Sequence, residues 1–300
     1  MRLNTLRAED KLTFDVFLKV NDKYLHYTHN SDSLEAERLK KLKKNGVKKL
    51  FIVSKDEDSY LAYLELGLDK LNEQSRSIAD RGALAQSVMV MAAENAEKSV
   101  ETKEAFEAQK NQFNKISQFI ISDKNAIKNM LSEAGISVDS NQHAANVSSL
   151  SIALASKAGI LDKMEIFEIG IAGLLHDIGK KRQKVQITKP MKEMSPQELK
   201  IFKQHPQDGV DMLAGKPYIS PRILGLVLSH EEFGEARGFP EKKFMSKQPL
   251  SYQIISLVNS FDHFASEKNL RLSDAAEPYY ELNGQHINDE LFTILVTFLS

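Results

Sequence analysis

The sequence contains no cysteine among its 300 residues. Disulfide bonds, thiolate metal sites and cysteine nucleophiles are therefore all excluded. Any metal that this chain binds must be held by imidazole and oxygen ligands. The eight histidines are consequently the residues to follow through the sequence.

The chain also lacks a strong net charge and a long apolar run. Its formal net charge of -1 gives no overall field that would attract a nucleic acid polymer or an anionic membrane. No apolar segment is long enough to span a bilayer, and the first residues, MRLNTLRAEDKL, do not resemble a signal peptide. We expect a cytoplasmic protein with no membrane or nucleic acid polymer as a partner.

The patterning predicts an α+β chain that begins with a small α/β module, at residues 1–70. The segment TFDVFLKV at 13–20 alternates apolar and polar residues, and Asn21-Asp22 turns it toward a second strand at 24–27. Asp32 and Glu35 have capping-box spacing for a helix that ends at Asn45-Gly46, before an apolar strand at 50–53. We expect a regulatory or interaction module.

A helical linker is predicted at residues 71–135. No proline and only one glycine interrupt the segment between Leu71 and Ala134, and apolar residues recur at helical intervals. The apolar cluster at 87–93 allows three interpretations: contact with the following domain, contact with a second copy in a homodimer, or an ordinary core helix.

From 136 to 300 the pattern predicts an all-α bundle.

One apolar helix of this bundle ends in two adjacent residues that can bind metal. The run IGIAGLL at 169–175 predicts a buried helix, and His176 and Asp177 follow it directly. An imidazole and a carboxylate side by side can hold a divalent cation, and the carboxylate can bridge to a second one. Taken alone, the pair is equally consistent with a hydrogen-bonded helix end.

Three further histidines lie at predicted helix ends. His143 follows a polar stretch at the start of a helix, and His230 follows the apolar run ILGLVL. His205 closes the segment SPQELKIFKQHP, whose first residue, Ser195, is a predicted N-cap. These histidines form either one metal site or a set of capped helix ends. The remaining histidines are expected at the surface or in interfaces: His26, His29, His263 and His286.

In their order and separation these motifs resemble those of the HD-GYP family, a branch of the HD phosphohydrolase superfamily. The motifs are His143, the pair in LLHDIGK, TKP at 188–190, HP at 205–206, and HEE followed by RGFP at 237–240. HD-GYP domains hydrolyse the bacterial second messenger cyclic di-GMP with two or three metal ions. The resemblance implies an HD-type helical bundle at 136–300 with that activity.

The resemblance also implies the residues of the site. The metal ligands would be His143, His176, Asp177, His205, His230 and Asn259, with Glu231 and Asp262 as further candidates. Asp177 and Lys180 would be catalytic, and the substrate would be bound by Lys180, Lys268 and Arg271. Two divalent ions are expected, iron in the first place, with manganese or zinc as alternatives. A third metal ion would need a carboxylate near His143. Asp139 lies at that place in the sequence, but its side chain is shorter than the glutamate that the family uses.

The sequence departs from the family pattern at three points. The family motif HHE corresponds either to 229–231 or to 230–232, so one of its histidines is replaced by serine or glutamate. Phe239 stands where the family has the tyrosine of GYP. Asn259 stands where the family has a ligand aspartate and offers only a neutral oxygen, while Asp262 lies one helical turn later.

Two classes of function follow. In the first, a binuclear metal centre activates a bridging water that hydrolyses cyclic di-GMP or another phosphate ester. In the second, a degenerate domain keeps its metal and acts without turnover, as a cyclic-dinucleotide receptor or as a scaffold for a signalling protein. The three departures from the family pattern motivate the second hypothesis.

Overall fold

The computed structural model describes residues 1–73, 76–134, 139–183 and 189–299. Its described part is mainly helical and includes a single two-stranded sheet, which confirms the α+β class with a helical HD-type body. The strands are β1 (Val16–Val20) and β2 (Lys23–Thr28). The helices are α1 (Ala36–Lys44), α2 (Glu57–Asp69), α3 (Ile78–Glu94), α4 (Ala96–Ser99), α5 (Lys103–Ser122), α6 (Ala126–Ala134), α7 (Ser140–Lys157), α8 (Lys163–Leu175), α9 (Pro196–Phe202), α10 (His205–Leu213), α11 (Pro221–Ser229), α12 (Leu250–Glu267), α13 (Leu272–Asn283) and α14 (Asp289–Thr297).

The predicted hairpin is present. β1 and β2 pair in antiparallel orientation, and the turn residues Asn21 and Asp22 have φ angles of 46° and 61°. This left-handed conformation is the one that a two-residue hairpin turn needs, and Asn and Asp tolerate it better than most residues. The alternation of apolar and polar residues predicts one buried face for β1. Val16 on that face is fully buried, as predicted, but Val20 at the far end of the strand is 41% exposed.

Two local predictions in this module are wrong. The segment 50–53 does not form a strand; Phe51 makes an isolated bridge to Phe17. The helix α1 begins at Ala36, where Glu35 is the N-cap and its side chain accepts no capping hydrogen bond. The capping-box spacing therefore misplaced the helix start, because it describes only one way of satisfying the first backbone N–H groups.

The helices predicted as a linker pack into the body of the chain. α3 contacts α6 and α7, and Val88, Met89 and Val90 are buried within the same chain. The contact with α7 agrees with the first interpretation of the cluster at 87–93, contact with the following domain, and the burial agrees with a core helix. A homodimer through this segment stays a prediction. The domain boundary predicted between 135 and 136 lies outside the described residues and stays a prediction.

The centre of the helical body is formed by α7, α8 and α12. Gly173 of α8 allows a close approach to α7, because an added Cβ would lie 2.8 Å from the Cα of Ser148. The Ser148 hydroxyl donates to the carbonyl of Gly170 at 2.7 Å and ties the same two helices together. This packing brings the start of α7 close to the end of α8. In the described residues, no helix combines the length and the apolar character needed to cross a bilayer.

Candidate metal centre

Three imidazoles are oriented in the same way, by carbonyl groups at helix C-termini. His176 follows α8, His230 follows α11, and His205 lies just after α9. In each ring Nδ1 is 2.7 Å from the carbonyl oxygen three residues earlier. Because a carbonyl oxygen only accepts, Nδ1 must carry a proton, and in the tautomer that this bond selects the lone pair is at Nε2.

His143 is oriented by a carboxylate instead. Its Nδ1 lies 2.6 Å from Oδ2 of Asp262, and the other Asp262 oxygen accepts from the amide of Asn146 at 2.8 Å. Asp262 raises the pKa of His143 against the opposing effect of burial. With both oxygens engaged, Asp262 lies behind the ring, in the position from which a carboxylate orients a metal-binding histidine. Its predicted alternative role as a direct ligand has no support in this geometry.

The four Nε2 atoms face one another in two buried pairs. Nε2 of His143 lies 3.1 Å from Nε2 of His176, and Nε2 of His205 lies 2.9 Å from Nε2 of His230. The Oδ1 atom of Asn259 is 3.1 Å from Nε2 of His143, so a third lone-pair donor meets the first pair. Lone pairs at these separations repel unless a positive charge lies between them. The donor set therefore fits divalent cations.

Asp177 lies between the two pairs. Its Oδ1 is 3.3 Å from Nε2 of His205 and 3.6 Å from Nε2 of His230, while its Oδ2 is 3.4 Å from Nε2 of His176. Oδ1 is buried and has no hydrogen-bond partner in the part of the chain that the structure describes. A carboxylate oxygen in this state is available to a cation.

Lys180 supplies a positive side chain at the site. Its Nζ donates to Oδ2 of Asp177 at 2.6 Å. Burial acts to raise the pKa of Asp177, but the Lys180 ammonium and the adjacent imidazoles outweigh it and hold that pKa well below its usual range. Burial lowers the pKa of His230 to about 4. At neutral pH the site therefore holds an ionised carboxylate and a neutral His230.

The second register of the HHE motif fits the structure. Glu231 Oε1 lies 3.6 Å from Nε2 of His205, so this carboxylate faces the second imidazole pair. The buried Glu232 carboxylate instead accepts the backbone N–H groups of Glu241 and Lys243 at 2.6 Å and 2.7 Å. The Ser229 hydroxyl accepts from Nζ of Lys243 at 3.0 Å. Glu231 is thus the carboxylate of this motif that faces the imidazole pair, and Glu232 fixes the following loop.

A cavity of about 680 Å³ opens over these groups. His230, Glu231 and Asn259 form part of its wall, and Phe239 lines it beside His205, at 6.1 Å between ring centroids. The volume lies within the range of about 300–1,000 Å³ that is usual for small-molecule sites. Its basic residues are Lys180, Lys189, Lys203 and Arg237.

The family model described as HD domain matches residues 120–291. The chain belongs to the HD domain family. Its fold is that of the HD-GYP branch, since a solved HD-GYP protein from Bdellovibrio bacteriovorus is similar with a TM-score of 0.80 and 27% sequence identity. That similarity covers 100% of this chain and 98% of the Bdellovibrio chain.

Two curated relatives of this HD-GYP chain are phosphodiesterases by name. A cyclic di-GMP phosphodiesterase of Pseudomonas aeruginosa is 28% identical over 51% of this chain, and one of Thermotoga maritima is 30% identical over 55% of it. The matched segments make up 38% and 46% of those two proteins. The chain therefore matches less than half the length of each relative.

Several predicted residues of the HD-GYP site lie elsewhere. Lys268 and Arg271 are exposed and are not part of the cavity wall, and Arg271 pairs with Asp274 at 2.9 Å. Asp139 is the N-cap of α7, where its carboxylate accepts two backbone N–H groups. Thr188 of the TKP motif lies outside the described residues.

His263 is the site residue that the sequence interpretation missed. It was predicted at the surface or in an interface, and that prediction is wrong, because the ring lines the cavity and lies 4.1 Å from the His143 ring between centroids. One signal was available: His263 follows Asn259 by one helical turn, which places both on the same face of α12.

Proposed function

We propose that this chain is a metal-dependent phosphodiesterase that hydrolyses cyclic di-GMP in the cavity above the imidazole pairs. The observation that carries the proposal is the convergence of four Nε2 lone pairs and one unpartnered carboxylate oxygen in a buried site. The named activity of the curated relatives supports the choice of substrate.

Two sets of residues would hold the metal ions. His143, His176, Asp177 and Asn259 would bind one cation, and His205, His230, Asp177 and Glu231 the other. These imidazole and oxygen donors suit iron(II), with manganese or zinc as alternatives. When bound, such ions lower the pKa of a water nucleophile and offset negative charge on the phosphoryl oxygens.

The protein side chains would position the phosphodiester and stabilise its charge. Lys180 lies beside Asp177, where its ammonium group can bind a non-bridging phosphoryl oxygen as negative charge develops. Lys189, Lys203 and Arg237 line the outer cavity, and we assign to them the phosphate binding that the family pattern predicts for Lys268 and Arg271. His176 and His205 are fully buried, so bulk water does not reach their imidazoles.

Replacement of Lys180 by methionine tests this role. We expect the turnover number for cyclic di-GMP to fall by about 100-fold, the effect of removing one charge-stabilising donor. Chromatography of the reaction products from metal-loaded protein measures the rate. Lys181→Met is the matched control, since Lys181 is the next residue and pairs with Glu97 at 3.7 Å, away from the site. Equal rates in the two variants would contradict the assignment.

A receptor without turnover is the second candidate. Phe239 lacks the hydroxyl of the family tyrosine, and Asn259 supplies a neutral oxygen in place of a carboxylate. Both lie at the cavity and would weaken catalysis more than ligand binding. Calorimetry with cyclic di-GMP on the metal-loaded protein separates the two: binding with product formation supports the phosphodiesterase, and binding without product supports the receptor.

A further inference from the structure

His263 has no role in the proposed ligand sets, although it lies in the same cavity. The ring projects from α12, one helical turn beyond Asn259. Its Nε2 is buried and has no hydrogen-bond partner among the residues that the structure describes. Leaving a buried polar atom without a partner is unfavourable, so an unused nitrogen at this position indicates a ligand.

The surroundings of His263 identify the kind of ligand. Ligand atoms of His143, Asp177 and His263 all lie within 4.8 Å of one another. Opposite ligands on one ion at about 2.1 Å are separated by about 4.2 Å, so the separations of the three donors are close to those that one shared cation requires.

We propose that His263 is a ligand of the cation held by His143, His176 and Asp177, and that it supplies the donor strength that Asn259 lacks. An aspartate at 259 would bring a negative charge to this cation, whereas the asparagine brings only a weak neutral oxygen. A neutral imidazole from the next turn of the same helix is a stronger donor and approaches the ion from the same side. This inference rests on the metal centre of the proposed function.

The test measures metal affinity rather than activity. The apo-protein is reloaded with Mn²⁺ or Co²⁺, and stoichiometry and dissociation constants are obtained by competition with a chelator, together with the visible absorption of bound Co²⁺. His263→Phe keeps an aromatic ring and removes the lone pair, and His263→Ala is a second variant in case the larger phenyl ring prevents folding. We expect one of the two sites to weaken by about 10–100-fold, with an altered Co²⁺ spectrum.

A compensating variant and a control make the test specific. Asn259→Asp in the His263→Phe background is expected to restore the affinity, because the carboxylate replaces the lost donor. His286→Ala is the matched control, since that imidazole bonds to Arg237 outside the cluster. Unchanged affinity in both His263 variants would overturn the inference, and a double variant as weak as the single one would overturn the compensation. A wild-type chain that binds no metal would instead refute the proposed function.

Discussion

Replacing Asp177 with asparagine is expected to lower kcat/KM for cyclic di-GMP by about a thousand-fold or more. Asp177 is the carboxylate that faces both imidazole pairs, at 3.3 Å from His205 and 3.4 Å from His176. Asparagine keeps the shape but offers one neutral oxygen, so neither cation would be held by a shared negative charge. A thousand-fold loss corresponds to about 4 kcal/mol of transition-state stabilisation.

The same substitution at Asp211 provides the control. Asp211 lies on α10 but is half exposed, where it accepts a hydrogen bond from Gln207 at 2.8 Å and pairs with Arg182 at 3.9 Å, away from the imidazole pairs. Asp211→Asn should keep the wild-type rate and metal content. Steady-state kinetics and elemental analysis of both variants test whether Asp177 belongs to the metal centre. An Asp177→Asn protein that keeps its metals and its rate would show that this carboxylate is not part of the centre.

Substituting alanine for Gly179 is expected to destabilise the chain by about 3 kcal/mol and to deplete its metal. Gly179 lies in the short 3-10 helix after Asp177, and an added Cβ would be 2.0 Å from the carbonyl oxygen of His205 and 2.4 Å from the backbone nitrogen of Gly209. Backbone atoms cannot rotate away, so α10 would have to shift and carry His205 with it. The melting temperature should fall by about 6 °C or more.

Gly209→Ala is the matched control on the opposite side of the same contact. The atom nearest to its added Cβ is a methyl group of Val227 at 3.1 Å, which can move by side-chain rotation. Alanine within α10 also gains helix propensity, so we expect a change of no more than about 1 kcal/mol in either direction. Thermal denaturation followed by circular dichroism compares the two, and equal melting temperatures would contradict the close-approach argument.

The parts of the fold that follow from local pattern were predictable. The apolar run before His176 and the Ser195 cap with Glu198 both define helices at the expected places. The end of the second helix was less accurate, because α9 stops at Phe202 and His205 instead begins α10, with Pro206 in its first turn. A proline tolerated at a helix start looks the same in sequence as one that follows a helix end.

The parts that depend on packing between distant elements were not predictable. Matching the sequence to the family motif predicted that Lys268 and Arg271 bind the substrate. In the structure the end of α12 and the residues after it bring both side chains to the surface, outside the cavity wall. His263 shares a helical face with Asn259, yet a sequence does not show which face of α12 meets the cavity. The segment 71–135 was predicted to be a linker from its helical pattern alone. The burial of its helices depends on contacts with α7, and such contacts cannot be read from a local pattern.

Counting the metal in the purified wild-type chain is the most direct test of the metal centre. The protein is prepared under reducing conditions, stripped with a chelator, reloaded with iron(II) or manganese(II), and analysed for elemental content after removal of free ions. The arrangement of the imidazole pairs predicts about two divalent ions per chain, and about none in a His176→Ala, His205→Ala double variant. A wild-type chain that retains no metal, or a double variant that retains as much as the wild type, would contradict the account.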